Sequence, residues 1–99
     1  METNVNVINK DRIEVKEPKK YKVIMYNDDF TTMEFVVCVL EDIFNKTLAE
    51  ANEIMLEVHN KGYGIAGIYP YDIALSKVIK ANNFAREEGF PFKLTIEEE

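Results

Sequence analysis

The sequence predicts a compact single domain of α/β composition and α+β layout, with the element order β-α-α-β-α-β and a small, mostly antiparallel three-stranded sheet covered by three helices. Three observations point there. Two Thr-x-x-Glu boxes, Thr31 to Glu34 and Thr47 to Glu50, each open a run of apolar residues at helical spacing. A third helical run opens at Pro70 and is stopped by Gly89. Short segments rich in β-branched and aromatic residues precede and separate these runs and close the chain. At 99 residues the chain supports one core, in which roughly 60–65% of the unfolded surface is buried.

Residues 1–19 mix Asn, Asp, Glu and Lys with scattered Val and Ile and read as a flexible N-terminal extension, leaving residues 20–99 as the core domain. Tyr21 to Tyr26 reads as the first strand, ended by Asn27-Asp28-Asp29. With Thr31 as N-cap, the first helix covers about 32–44, carrying Phe35, Val36, Val39, Leu40, Ile43 and Phe44 on its apolar side. After a short link, the second box starts a helix that places Ala51, Ile54, Met55, Val58 and His59 on one face and ends at Gly62. The stretch to Tyr69 reads as a turn and strand with close backbone approach at its glycines. Leu75, Val78, Ile79 and Asn82, with Ala74, Ala81 and Ala85, form the expected inner face of the long third helix. Phe90 to Ile96 alternates as a last strand, with Phe92, Leu94 and Ile96 on one side.

Composition narrows the function. A formal net charge of -6 disfavours nucleic acid, whose binding depends on Lys and Arg neutralising phosphates. Cationic ligands suit the charge better. No apolar run has the length of a membrane span, and the start lacks the basic and apolar blocks of a secretory signal, so no membrane contact and a cytoplasmic location are expected. The single cysteine, Cys38, lies in an apolar helical run as a buried thiol, and the single histidine, His59, lies on another helix, so no cysteine–base pair is evident. One His and one Cys leave zinc short of ligands. The glycine spacing of 62–67 is not a dinucleotide fingerprint. Neither an enzyme nor a cofactor or metal site is expected.

What stands out is negative charge beside an apolar surface. Asn27, Asp28 and Asp29 close a strand just ahead of a helix that opens with Met33. Met55 and His59, four residues apart, share a helix face and can give one cavity an apolar wall and a polar lip. Such a pairing fits a ligand with one cationic and one apolar end, as in a peptide's free amino terminus carrying a large first side chain.

The segments Tyr21-Lys22-Val23-Ile24, Asn27-Asp28-Asp29-Phe30-Thr31-Thr32-Met33-Glu34-Phe35-Val36 and Met55-Leu56-Glu57-Val58-His59-Asn60-Lys61-Gly62 closely resemble the ClpS family, adaptors of the ATP-dependent Clp protease. The similarity runs from about Pro18 to Glu98. It implies recognition of N-degrons, substrates exposing an N-terminal Leu, Phe, Tyr or Trp, and delivery to a ClpA-like or ClpC-like AAA+ unfoldase through its N-terminal domain. By resemblance, Asn27, Asp29 and His59 bind the α-ammonium while Asp28 adds negative field and shapes the turn. Thr31 and Met33 stand at the first peptide unit and the selectivity gate, and Val36, Met55, Val58 and Phe92 wall the side-chain pocket. Asp72 and Lys77 match the exposed unfoldase-docking positions, and residues 1–19 match the segment offered for handover. A monomer is implied. The chain departs from the family at Thr32, where proline is frequent, and at Phe92, where leucine is frequent and the larger ring would narrow the pocket floor. A noncatalytic docking regulator without N-degron recognition is the other reading.

Overall fold

The computed structural model describes residues 18–99. The elements follow the expected order: β1 Lys20–Tyr26, α1 Met33–Asp42, α2 Leu48–Lys61, β2 Tyr63–Pro70, α3 Tyr71–Glu88 and β3 Lys93–Glu98. β1 is the central strand of a three-stranded sheet in the order β2-β1-β3, antiparallel to both neighbours. The register with β2 shifts between Val23, opposite Gly67, and Ile24, opposite Ile65. The expected extension at residues 1–19 falls, except for Pro18 and Lys19, outside the described residues.

Local chemistry sets the helix ends, with one shift from expectation. Thr32, not Thr31, caps α1: its hydroxyl accepts from the Phe35 amide at 3.1 Å. Thr31 is instead held in the preceding turn, where its amide and its hydroxyl both donate to the Asp28 carboxylate. α2 opens with a complete capping box, the Glu50 amide donating to Thr47 Oγ1 at 3.1 Å and the Thr47 amide to Glu50 Oε1 at 2.9 Å. It closes at Gly62, whose φ of 93° is open to glycine without the Cβ penalty of other residues. Pro70 stands one position ahead of α3, as its N-cap at the end of β2.

Val23 and Met25 of β1 are wholly buried, joined in the core by Phe35, Val39 and Leu40 of α1, Ala51 and Val58 of α2, and Leu94 of β3. Phe35 organises an aromatic cluster, its ring centroid 4.8 Å from Phe84, 4.9 Å from Phe90 and 6.0 Å from Phe92. α3 presents Ala74, Val78, Ala81 and Ala85 inward, a narrow stripe that brings its backbone close to the sheet. Leu75 and Ile79, expected inside, are 38% and 50% exposed. They sit one position past the alanine and valine that occupy the contact line, and the small inner side chains leave no gap for them.

Candidate functional site

A cavity of about 250 Å³ opens where the loop after β1 meets α1 and α2. That is below the roughly 300–1,000 Å³ of small-molecule sites and of a size for one side chain and its polar end. Asn27, Asp28, Asp29 and Thr31 come from the loop, Met33 and Val36 from the first turn of α1, and Met55, Val58 and His59 from α2. Helical spacing explains the grouping: Met33 and Val36 are three residues apart, and Met55, Val58 and His59 fall at i, i+3 and i+4. The loop and α2 are tied directly, the Asn27 amide donating to the Gly62 carbonyl at 2.9 Å.

Within the loop, Asp28 is the organiser. Oδ1 accepts from the amides of Phe30 at 2.8 Å and Thr31 at 2.7 Å, and Oδ2 accepts the Thr31 hydroxyl at 2.7 Å. Burial pushes its carboxyl upward, but the Thr31 hydroxyl and the two amides outweigh it and hold the group below the usual carboxylate range. The charge therefore persists at neutral pH while both oxygens are occupied. Asp28 thus shapes the turn and adds negative charge beside the cavity.

Asn27, Asp29 and His59 are exposed, and none of their side chains has a hydrogen bond among the described residues. The rim presents an Asn oxygen, a carboxylate and an imidazole, with the buried Val36 and Val58 and the half-buried Met55 lining the same cavity. His59 lies in the last turn of α2, where the partial negative charge of a helix C-terminus favours a cation. Met33 is 44% exposed at the mouth. Among the described residues no group of three His, Cys, Asp or Glu could hold a metal ion.

The structure thus brings nine of the ten expected pocket and rim residues around one cavity. Phe92 is the exception. It does not line the cavity; its ring is 6% exposed in the core, edge-on to Phe35. Its position just ahead of β3 turns it inward with Leu94, so ring size there bears on core packing instead of the pocket floor. Asp72 lies exposed in the first turn of α3, as expected. Lys77 does not lie free: half-buried, its ammonium donates to the Ile43 carbonyl at 2.7 Å and lies 5.2 Å from the Tyr69 ring centroid. A feature that sequence reasoning missed is a second cavity beside the first, on α1 residues Glu34, Val37, Cys38 and Glu41. The spacing i, i+3, i+4, i+7 was its available signal.

Comparison with known proteins gives this geometry a context. Residues 16–95 match the family model of the ATP-dependent Clp protease adaptor protein ClpS. The ATP-dependent Clp protease adapter protein ClpS of Wolinella succinogenes is 53% identical over 89 residues, spanning 90% of this chain and 87% of the relative. That of Clostridium acetobutylicum is 49% identical over 89 residues, spanning 90% and 88%. The structure of Agrobacterium tumefaciens ClpS2 bound to L-phenylalaninamide superposes with a TM-score of 0.80 at 36% identity, covering 84% of this chain and all of that one.

Proposed function

The chain belongs to the ClpS family of ATP-dependent Clp protease adaptor proteins, and on that premise we propose that the cavity between the 27–33 loop and α2 seats the first residue of an N-degron substrate. The protein is a noncatalytic adaptor that recognises N-degron substrates and delivers them to a Clp AAA+ unfoldase. One observation carries the pocket assignment: Met55 and His59 of α2 face Asn27 and Asp29 across a cavity whose interior is apolar and whose rim offers acceptors.

A protonated amino terminus has three donors and one charge. His59, the Asn27 side-chain oxygen and Asp29 supply matching acceptors, and such charge-assisted bonds are roughly twice as strong as neutral ones. The first side chain then enters between Met33, Val36, Met55 and Val58. Burying a Leu- or Phe-sized group there contributes about 1.5–3 kcal/mol. The two methionines, unbranched and deformable, adapt the cavity to aliphatic or aromatic shapes. Met33 at the mouth disfavours Ile and Val, whose branch at Cβ falls where the entrance is narrowest.

On the protease side, we read the exposed start of α3 around Asp72 as the surface for the N-terminal domain of a ClpA-like or ClpC-like unfoldase in the cytoplasm. Residues 1–19 are read as the segment offered to that unfoldase. The test is reconstituted degradation of fluorescent reporters that differ only in their first residue. Added adaptor should accelerate loss of Leu- and Phe-initiated reporters and leave a Met-initiated one unchanged. Equal acceleration of all three would contradict the reading.

A further inference from the structure

The pocket shares a wall with a neighbouring groove. This second cavity, about 330 Å³, lies on the outer side of Met33 and Met55, which line both, so these two side chains are the partition between them. Beyond the two methionines it is lined by Val37, by Cys38, half-buried where a buried thiol was expected, by Asn52, and by the carboxylate-bearing Glu34 and Glu41. Neither carboxylate is in a salt bridge among the described residues. We infer that this groove is a subsite for the third residue of a bound peptide, and that it selects lysine or arginine there. The inference rests on the pocket seating a substrate's first residue.

Chain geometry sets the position. In an extended peptide successive side chains point to opposite sides and rise 3.2–3.4 Å per residue, so the first and third share a side about 7 Å apart. With the first side chain behind the Met33 and Met55 partition, the third falls beyond it, while the second points away. The groove's chemistry sets the residue type. A long aliphatic stem can lie on Val37 and the methionine side chains while a terminal cation reaches Glu34 or Glu41. The local field agrees. Burial pushes the Cys38 thiol up, and its bond to Asp42 and the charges of Asp42, Glu41 and Glu88 push the same way, as around a site with surplus negative charge.

The test uses the full chain and labelled peptides that start with Phe-Ala and carry Lys, Gln or Glu at position 3, beside a set with the same changes at position 2. Binding is compared between the native protein and the double variant Glu34→Gln, Glu41→Gln. Lys at position 3 should bind roughly two- to tenfold tighter than Gln, as one or two exposed ion pairs allow, with Glu weaker than either. The double variant should bring the three close together while still requiring a free amino terminus. An unchanged Lys preference in the double variant, or one equally strong at position 2, overturns the subsite and leaves the pocket standing. Binding indifferent to N-acetylation overturns both.

Discussion

The amide of Asn27 donates to the carbonyl of Gly62 at 2.9 Å, joining the end of β1 to the C-cap of α2. Gly62 in turn donates its amide to the Val58 carbonyl at 2.9 Å. Two backbone bonds therefore fix the spacing between the acidic loop and the helix that carries Met55, Val58 and His59. The rim can then be exposed and polar without being loose, because its framework is backbone to backbone.

Asp28 should be the acid-sensitive point of this framework. Its carboxyl is held below the usual range in the folded protein, so its contribution to stability is present above the unfolded-state value near 3.9 and is lost as pH falls through the folded value. Replacing Asp28 by Ala should cost about 1–2 kcal/mol at pH 7, comparable to the loss of a helix cap. Urea unfolding of native and Asp28→Ala proteins from pH 7 to pH 2 checks this: the gap between midpoints should shrink only below about pH 4. A gap that stays constant into acid would mean the carboxylate does not stabilise the turn.

Gly64 should govern the depth of the pocket from behind. A Cβ at this position would lie 2.8 Å from Val58 Cγ2, closer than packed carbons tolerate. Gly64→Ala should therefore push Val58 into the cavity, destabilise the fold by about 1–3 kcal/mol, and weaken Phe-initiated peptides more than Leu-initiated ones. Thermal unfolding with parallel binding titrations measures both effects. Equal losses for the two peptides would show that Val58 does not move into the cavity.

Lys77 should behave as a structural residue as well as a surface one. Its ammonium donates to the Ile43 carbonyl beyond the end of α1 and lies near the rings of Phe44 and Tyr69. Lys77→Met keeps most of the stem and removes the charge, and should lower stability by about 1–2 kcal/mol. Asp72→Asn, on an exposed residue whose Oδ1 accepts from the neighbouring Ile73 amide, should move the melting temperature by no more than about 2–4 °C. Weakened unfoldase binding in Asp72→Asn would then be a docking effect, whereas in Lys77→Met it must be separated from destabilisation. Unchanged melting of Lys77→Met would contradict the structural role.

Much of this was legible in the chain. Thr47, Glu50 and Gly62 bound α2 by their own side-chain and backbone chemistry, and the i, i+4 spacing of Met55 and His59 placed them together. The α1 cap was harder to read because Thr31 and Thr32 are both competent, and the structure uses Thr32 while the Thr31 amide and hydroxyl donate to the Asp28 carboxylate. On α3 the large side chains Leu75 and Ile79 drew the hydrophobic face toward themselves, while close packing on the sheet favoured Ala74, Val78, Ala81 and Ala85. Resemblance assigns Phe92 to the pocket, whereas its inward position follows from the Phe35 cluster, a set of contacts drawn from α1, α3 and the link between α3 and β3. The second cavity appears only when α1 and α2 are docked, since Met55 closes it from the other helix.

The central claim is that the cavity reads a free amino terminus together with a bulky first side chain. Fluorescence anisotropy of Leu- and Phe-initiated peptides, each against its N-acetylated form and a Met-initiated control, tests it on native protein and His59→Ala. Binding should require the free amine and fall about tenfold or more in His59→Ala, as for loss of one bond to a charged group, with melting unchanged. Comparable binding of free and acetylated peptides by the native protein would contradict it.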